Sequence, residues 1–504
     1  MSIRKKNILL IYADQWRHDQ FGSKRSYTPN LDALAREAVS FRQHFTQVLP
    51  CAPSRASLFT GLYAQTHRVL KNRTPLNARH KTIAHYLRDS GYAPTLFGYT
   101  DTTLDPREFS EGDPRRGPGY QPLPGFEVGC HQPDNNPHEW LAHLRAEGVE
   151  YTDHSDVYDP DRTRANATGG AAGYPAKYRA EDSDTAYLTD RLMSWQREQA
   201  EGWCAALCYL RPHNPTIAPE PYNSLVNPAD LAPPIRAEDA AEEAAAHPYL
   251  AHQIAQGDAG ASVHQDLAGR IAEVDEQDWR SIRAIHLALM AEIDANLGRL
   301  FDQLKQTGQW EDTLILFSSD HGEMMFDHYL CQQASWHDQC THVPLIIRAP
   351  GAQFRASAGH AVEALSEAVD TIPTLLDWLG CEVPGHLDGR SLLPFLKGES
   401  PADWRDHVVW EFTYRNAVTS EYLSAHGLDD DDCVMTVIRD KRFKHAFFPG
   451  SDPVLIDLES DQHELRNIAS DPEYAAVERR YLARQMRNRI RHSDRILPPP
   501  PAPK

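Results

Sequence analysis

The sequence predicts an α/β fold in which a large, mostly parallel central sheet is flanked by helices and followed by a smaller C-terminal α+β domain with an antiparallel sheet. Apolar runs at residues 7–12, 203–210 and 313–317 have the length and composition of strands buried on both faces. Amphipathic segments with helical spacing separate these runs, and the longest covers residues 279–304. After about residue 395 this alternation ends, and short β-rich runs follow with few helices between them.

The other elements follow from local patterns. Leu31 and Leu34 have helical spacing after Pro29, with Asn30 as the candidate helix cap. Further helices are predicted over residues 54–63, 82–90 and 186–196, with an acidic, solvated helix over 237–246, and further strands over 93–97 and 343–347. The C-terminal part is predicted to hold strands at 408–412, 434–438 and 454–458, an arginine-rich helix at 473–490 and an exposed proline-rich tail at 498–501.

The length of the chain favours more than one folding unit, because single hydrophobic cores stop growing well below 504 residues. We expect a catalytic α/β domain at residues 1–395, a small antiparallel-sheet subdomain at 396–475, and a helix with a tail at 476–504. Residues 104–180 are rich in Asp, Gly, Pro, His and Asn and have weak hydrophobic periodicity. This texture predicts an insertion or lid over the sheet.

The formal net charge of −20 argues against nucleic acid or an anionic membrane as a partner. An anionic substrate therefore requires a locally positive pocket. The apolar run at residues 7–12 is too short for a signal-peptide core, and no run has the length of a membrane span, so we expect a cytoplasmic protein. The eight cysteines are scattered, which favours free thiols.

Acidic residues follow two of the predicted strands. Asp14 and Gln15 come after the first strand, and Asp320 and His321 come after the strand at 313–317. The carboxyl ends of strands are where open α/β sheets build ligand sites. Each carboxylate alone is also typical of a helix cap or a loop, so the hypothesis of a shared site depends on the residues acting as a set.

The run Cys51-Ala52-Pro53-Ser54-Arg55 resembles the signature of the type I sulfatases and their phosphonate monoester hydrolase relatives in the alkaline phosphatase superfamily. Further resemblances occur in consistent order across residues 7–470, at 28–32, 319–323, 342–346, 388–394 and 455–464. The resemblance implies that a formylglycine-generating enzyme oxidises Cys51 to formylglycine, whose hydrated diol is the nucleophile. The competing interpretation is a buried structural thiol.

The resemblance also implies roles for other residues. Asp14, Asp320 and His321, with the diol oxygen of residue 51, match the ligands of one divalent metal ion, for which the imidazole favours Mn or Zn over Ca. Arg55 matches the arginine that steadies the modified residue, and His213 matches the histidine near the leaving group. A surface salt bridge and an ordinary loop histidine are the respective alternatives. The residues that match substrate contacts of the phosphonate hydrolase branch are Asn72, Tyr99 and Thr100.

Three positions depart from the family pattern. Gln15 stands in place of a second acid, which leaves open whether it contacts the substrate or the metal. Gln333 stands where the family has a lysine, and Asp101 stands where phosphonate hydrolases tend to have threonine. The loss of the lysine disfavours doubly charged esters. Candidate replacements for the lysine are Trp336, His337 and Gln339.

These observations favour an enzyme that hydrolyses sulfate monoesters, with aryl sulfates as the expected class. The alternative enzyme is a phosphonate monoester or phosphodiester hydrolase that uses the same residues. A hypothesis from another class is an inactive anion-binding relative, but such a protein has no need of a modification signal. The expected partners are a small anionic ester and the formylglycine-generating enzyme. The arginine-rich helix and tail after Glu473 are expected to contribute to a homo-oligomer.

Overall fold

A computed structural model describes residues 5–20, 27–134 and 136–493, so the predicted proline-rich tail lies outside the described residues. The strands are β1 (Asn7–Ala13), β2 (Val39–Phe45), β3 (Val48–Leu49), β4 (Pro94–Gly98), β5 (Glu127–His131), β6 (Cys204–Cys208), β7 (Thr313–Ser319), β8 (Leu345–Arg348), β9 (Ala361–Glu367), β10 (Val408–Thr413), β11 (Val434–Arg439), β12 (Phe443–Phe447) and β13 (Val454–Asp457).

The α-helices lie between these strands along the chain, singly or in groups, and the last one follows β13. They are α1 (Pro29–Arg36), α2 (Cys51–Thr60), α3 (Ala64–His67), α4 (Ile83–Asp89), α5 (His138–Ala146), α6 (Asp184–Arg197), α7 (Ala240–Ala244), α8 (Pro248–Gln256), α9 (Ala259–Ser262), α10 (Glu276–Gln306), α11 (Asp338–Thr341), α12 (Thr371–Trp378), α13 (Leu393–Leu396), α14 (Ser420–His426) and α15 (Ala475–Arg491). Among the described residues, none of these helices combines the length and the apolar character needed to cross a bilayer.

The main sheet has eight strands in the order β5-β4-β6-β1-β7-β8-β2-β9. All neighbours are parallel except β8, which runs antiparallel to both β7 and β2. The predicted large, mostly parallel sheet is therefore confirmed. Strand β1 lies inside it, between β6 and β7, and each of its residues is buried.

The buried faces of β1 explain why its sequence is apolar throughout. Ile8 and Leu10 pack into a core with α2, α4 and α12, whereas Leu9 and Ile11 pack into a core with α1, α6 and α10. A strand covered on both sides has no solvent-facing positions, so its hydrophobic pattern is continuous and does not alternate. This double cover fixes the carboxyl end of β1 within the sheet.

A second sheet of five strands has the order β13-β12-β11-β10-β3. The four C-terminal strands are antiparallel as predicted, but β3 from the first part of the chain pairs with β10 in parallel, so the sheet is mixed. Helix α15 packs on this sheet through Tyr481, which lies against Ile438, Phe443 and Leu455.

Several elements differ from the sequence predictions. Residues 104–180 are not only a cover, because β5 forms an edge strand of the main sheet next to β4. Strands β2, β9 and β12 were not predicted, since polar residues interrupt them. Asn30 does not cap α1; Thr28 precedes the helix, and the Asn30 side chain instead donates to Asp294 Oδ2 at 2.8 Å.

Candidate active site

Two carboxylates lie together at the carboxyl edge of the central sheet. Ala13 of β1 is in register with Ser319 of β7, so Asp14 and Asp320 are the first residues beyond two neighbouring strands. The backbone N–H of Asp320 donates to Ala13 O at 3.3 Å, and both carboxylates are fully buried. The fold thus brings together the two acids that the sequence placed at strand ends.

Cys51 is the first residue of α2, and the start of this helix lies against the two strand ends. Pro53 is tolerated in the first helical turn because its missing N–H has no partner there in any helix. Cys51 Sγ lies 3.1 Å from His321 Nε2. One donor atom from each of Asp14, Cys51, Asp320 and His321 lies within 4.8 Å of the others, and all four residues are buried.

The hydrogen bonds of this group leave several electron pairs unused. His321 Nδ1 lies 2.9 Å from the carbonyl oxygen of Gly322, which can only accept, so Nδ1 carries the proton and neutral Nε2 presents a lone pair towards Cys51. Asp14 Oδ1 is buried and has no hydrogen-bond partner among the described residues. Buried acceptors without donors are rare in folded proteins. The donor set therefore fits a divalent cation.

Arg55 lies one turn after Cys51 on the same face of α2 and connects the two carboxylates. Its Nε donates to Asp320 Oδ2 at 2.8 Å, and one terminal nitrogen donates to Asp14 Oδ2 at 3.1 Å. The other terminal nitrogen donates to Tyr99 O at 3.0 Å, and the guanidinium lies 4.2 Å from the centroid of the Tyr99 ring. The alternative of a surface salt bridge is wrong, because Arg55 is only 1% exposed.

The pKa values of the two acids in the site are shifted in opposite directions. Burial and the Asp320 charge raise the pKa of Asp14, whereas the Arg55 guanidinium outweighs burial and lowers the pKa of Asp320. Burial, together with the charges of Asp14 and Asp101, raises the pKa of the Cys51 thiol well above its ordinary value. An unmodified thiol at this position is therefore a poor source of thiolate.

Tyr99 and Asn72 border the group from two different segments. The Tyr99 hydroxyl, just beyond β4, donates a hydrogen bond to Asp14 Oδ2. Asn72 Oδ1 accepts from the backbone N–H of Ala52 at 3.0 Å, which satisfies a free donor at the start of α2. The Asn72 residue is exposed, and its Nδ2 donates to no other described residue. An amide donor is thus available next to Cys51.

Thr100 and Asp101 line a small cavity together with Arg55 and Ala52. Thr100 Oγ1 lies 3.0 Å from Thr102 Oγ1. Asp101 is buried with a φ of 49°, and its Oδ1 has no partner among the described residues. Burial raises its pKa well above the ordinary value although Arg55 opposes this effect, so the carboxyl favours its neutral form.

His213 and Gln15 lie at the same edge of the sheet. His213 Nδ1 lies 2.7 Å from Asn214 O, so Nδ1 donates to this carbonyl, and Nε2 can donate only when the ring is a cation. The residue is partly exposed. Gln15 has a φ of 63°, its backbone N–H donates to Asp320 Oδ1 at 3.3 Å, and its buried Oε1 has no partner among the described residues.

Gln333 itself lies at the position of the missing lysine. Its Nε2 is 4.0 Å from Cys51 Sγ, and the side chain is largely buried. Two of the suggested replacements, His337 and Gln339, contact His328 instead. Trp336 packs in a separate apolar core under the second sheet.

Sequence reasoning missed Ser54, although it lies inside the signature. Ser54 Oγ donates to Asp320 O at 2.5 Å and lies 2.6 Å from Thr46 Oγ1. These hydrogen bonds therefore connect α2 to the end of β7. A polar residue at a fully buried helix position is expected to have a hydrogen-bond partner of this kind. The sequence alone does not show which positions are buried.

A family model described as Sulfatase matches residues 6–381 of this chain. The chain belongs to the sulfatase family. A second model, described as N-sulphoglucosamine sulphohydrolase, C-terminal, matches residues 325–492 of this sulfatase-family protein. The resemblance inferred from the Cys51 signature is thereby confirmed, and the protein is a hydrolase of this family.

Relatives of similar length extend the comparison. The multifunctional alkaline phosphatase superfamily protein PehA of Trinickia caryophylli is 39% identical, with 98% of this chain and 97% of the relative covered. The choline-sulfatase of Rhizobium meliloti is 27% identical, with 94% of this chain and 84% of the relative covered.

Solved structures give the same picture. The phosphonate monoester hydrolase of Agrobacterium radiobacter is 40% identical with a TM-score of 0.91, and 98% of this chain and 97% of that one are covered. The phosphonate monoester hydrolase of Silicibacter pomeroyi is 39% identical with a TM-score of 0.90 and the same coverage. These similarities favour the alternative of a phosphonate monoester hydrolase over sulfate hydrolysis as the main activity.

Proposed function

We propose that this sulfatase-family protein hydrolyses phosphonate monoesters and phosphodiesters at the edge formed by Asp14, Cys51 and Asp320. The observation that carries the proposal is the 39–40% identity to two phosphonate monoester hydrolases over nearly the whole length of both chains. Tyr99 and Asn72, which match that branch, border Cys51 and its neighbours and support the same conclusion.

The charge of the site supports a singly charged substrate. Two carboxylates, the Arg55 guanidinium and one divalent cation leave a single excess positive charge. Gln333 adds an amide near Cys51 where the family has a lysine. A phosphonate monoester, a phosphodiester and a sulfate monoester each carry one negative charge. Sulfate monoesters are therefore the second candidate substrate, which the family match also supports.

In the proposed mechanism, Asp14, Asp320, His321 and the modified residue 51 would hold a divalent cation, for which the imidazole favours Mn or Zn over Ca. When bound, this ion would supply Lewis acidity towards the ester and favour ionisation of the diol. Arg55 fixes both carboxylates and adds positive charge beside the residue. Asn72 Nδ2 and Gln333 Nε2 are the neutral donors nearest to residue 51 that the ester oxygens can use.

Residue 51, as the formylglycine diol, loses the proton of one hydroxyl to water and attacks phosphorus through that oxygen, and the bond from phosphorus to the leaving alkoxide or phenoxide oxygen breaks. His213, in its cationic form, gives its Nε2 proton to that leaving oxygen, since Nδ1 is already committed to Asn214 O. The second hydroxyl then loses its proton to water, the aldehyde C=O forms again, and the bond between the aldehyde carbon and the phosphonate oxygen breaks, while neutral His213 takes up a proton from water at Nε2. Water rehydrates the aldehyde.

One preparation should be assayed with an aryl methylphosphonate, an aryl phosphodiester and an aryl sulfate. We expect kcat/KM to be highest for the phosphonate and the diester, and all three activities to be lost in C51A, which cannot form the diol. A sulfate kcat/KM above both phosphorus esters would overturn the proposal in favour of the sulfatase alternative. Full activity of C51A on all three would contradict the shared nucleophile.

A further inference from the structure

A buried arginine holds the loop that carries His213. This loop, residues 210–217, follows β6, and none of its residues, all of which are described, belongs to a helix or strand. Its conformation therefore depends on side-chain contacts. The backbone N–H of Asp14 donates to Arg211 O at 3.4 Å, so the loop begins beside the carboxylate edge. The Arg211 side chain is only 1% exposed.

One terminal guanidinium nitrogen of Arg211 holds two carbonyl groups of the loop. It donates to His213 O at 2.9 Å and to Pro215 O at 2.7 Å. These carbonyls flank that of Asn214, whose oxygen accepts the hydrogen bond from His213 Nδ1 at 2.7 Å. Because the peptide groups on both sides of Asn214 O are fixed, the acceptor that orients the imidazole is fixed as well.

Arg211 is itself held by α6 and by the segment 104–180. Its Nε donates to Asp184 Oδ2 at 3.0 Å, and both side chains are buried. The guanidinium lies 4.7 Å from the centroid of the Tyr158 ring, and the Tyr158 hydroxyl donates to Asp184 Oδ2 at 3.3 Å. The carboxylate and the ring together set the orientation of the planar guanidinium, whose other donors point at the loop.

A contribution to stability does not explain why this position is an arginine. A buried ion pair adds little to stability compared with an apolar pair of the same volume. An apolar side chain at Arg211 could not donate to the two loop carbonyls, however. The guanidinium differs from other side chains in its rigid fork of donors, which binds a carboxylate and carbonyls at the same time. This favours a role in the geometry of the loop.

We propose that Arg211, anchored by Asp184 and Tyr158, is a positioning residue that holds His213 Nε2 towards the leaving oxygen. This role rests on the proposed function, in which His213 protonates that oxygen. Arg211 acts only through the loop. Since Tyr158 lies in the segment 104–180, the insertion supports the proton donor as well as covering the sheet.

The test compares R211M, H213A and R211M/H213A on aryl esters whose leaving groups differ in pKa. We expect R211M to lower kcat/KM for a phenyl ester by about 10²-fold, since a displacement of about 1 Å has effects of this size. A p-nitrophenyl ester should lose much less. In the H213A background, R211M should lower kcat/KM by about twofold or less, because the group that it positions is gone. A purely structural loss would affect all leaving groups alike and would add to that of H213A.

R348M is the matched control. Arg348 is also buried, and one of its terminal nitrogens donates to Trp310 O at 2.9 Å and Thr313 O at 3.3 Å. Its Nε donates to Glu37 Oε2 at 3.3 Å. These contacts lie at the start of β7, the end opposite to the candidate active site. The folded fraction of R348M should keep the wild-type kcat/KM for every leaving group, and a leaving-group effect like that of R211M would contradict the proposal.

R211K decides the question if R211M does not fold. It keeps the charge beside Asp184 but lacks the planar fork, so kcat/KM for the phenyl ester should fall by about tenfold, again with a smaller loss for the p-nitrophenyl ester. A wild-type dependence on leaving-group pKa in the folded arginine variant, together with a steeper one in H213A, overturns the positioning role alone. A wild-type dependence in both overturns the role of His213 as well. The series uses the ester class that the protein hydrolyses fastest, so a preference for aryl sulfates would overturn the proposed function and leave this test intact.

Discussion

The strand edge and the loops around it form the two halves of the candidate active site, and they are built differently. Asp14, Asp320 and Arg55 lie on a central strand pair and a buried helix, joined by ion pairs of 2.8 to 3.1 Å. Asn72 and His213 lie on connecting segments. Asn72 is exposed, and His213 is partly exposed. The ion-pair half is fixed by burial, whereas the loop half depends on local hydrogen bonds.

This difference indicates which residues take part in the chemical steps and which determine the choice of substrate. Residues at the strand edge cannot change without leaving a buried charge unpaired, so they suit steps common to all substrates. The loop residues can be replaced at lower cost, and this chain does so with Gln333 and Asp101. We therefore expect changes at the edge to affect every ester and changes in the loops to affect the choice among esters.

Replacing Arg55 should have the largest effect. R55A leaves Asp14 and Asp320 buried without their cation, which costs about 3–5 kcal/mol of unfolding free energy. We expect kcat/KM to fall by about 10³-fold for all three ester classes, since the guanidinium also stabilises charge in the transition state. Denaturant unfolding and the three-substrate assay measure both effects.

R405A is the matched control for this change. Arg405 is also buried, and it pairs with Glu367 and Asp370 away from Cys51. It should lose stability to a similar extent while the folded fraction keeps its kcat/KM. Loss of activity in proportion to stability in both variants would mean that Arg55 has only a structural role.

Replacing His213 should depend on the leaving group. H213A removes the proton donor, so kcat/KM for a phenyl ester should fall by about 10²–10⁴-fold. A p-nitrophenyl ester, whose leaving group needs little protonation, should lose much less. A plot of log kcat/KM against leaving-group pKa measures this, and equal slopes for H213A and the wild type would contradict the assignment.

Replacing Gln333 should have a smaller effect, which concerns substrate specificity. Q333K places a positive charge beside Cys51, so the ratio of kcat/KM for a doubly charged aryl phosphate to that for a diester should rise by about tenfold, or about 1.4 kcal/mol. The diester is the internal control, because it keeps a single charge. An unchanged ratio would show that Gln333 does not face the substrate.

Glu292 is a buried acid in α10 that can be compared with the acids at the strand edge. Burial and the Asp184 charge raise its pKa to about 8, and its Oε1 has no partner among the described residues. The unfolded carboxyl ionises near its ordinary pKa of 4.5, whereas the folded one stays protonated up to about pH 8. The folded state thus binds more protons between these values, and its stability falls as pH rises.

The variant E292Q should remove this pH dependence. Between pH 5 and 8 we expect the unfolding free energy of E292Q to increase relative to the wild type by roughly 1 kcal/mol per pH unit. Urea unfolding at pH 5, 6, 7 and 8 measures this difference. A difference that does not vary with pH would mean that Glu292 is ionised in the folded protein.

The same comparison explains what the sequence could predict. Strands β1 and β7 were predictable because both faces are buried, so their apolar runs are unbroken and the acids that follow them are conspicuous. Strand β2 was not, since it carries Arg42, Gln43 and His44. Two of the five residues of strand β5 are exposed, as expected for an edge, and its sequence lacks a hydrophobic pattern.

In the site, the signature identified both Cys51 and Arg55, but the partners of Arg55 required the structure. Its contacts reach across 41 and 265 residues to Asp14 and Asp320, and sequence spacing does not predict such contacts. The buried contact between Glu243 and His328 was missed for the same reason. Glu243 lies in an acidic, alanine-rich segment that indicated a solvated helix, yet its side chain is buried against His328.

The most direct test of the proposed mechanism is the chemical state of residue 51. The protein should be produced with a formylglycine-generating enzyme, and the tryptic peptide covering residues 43–55 should be examined by mass spectrometry. We expect a peptide lighter by the difference between a thiol and a carbonyl oxygen, reactive towards a hydrazide, and present in proportion to kcat/KM across preparations. Full ester hydrolysis by protein that contains only the unmodified Cys51 thiol would contradict the account.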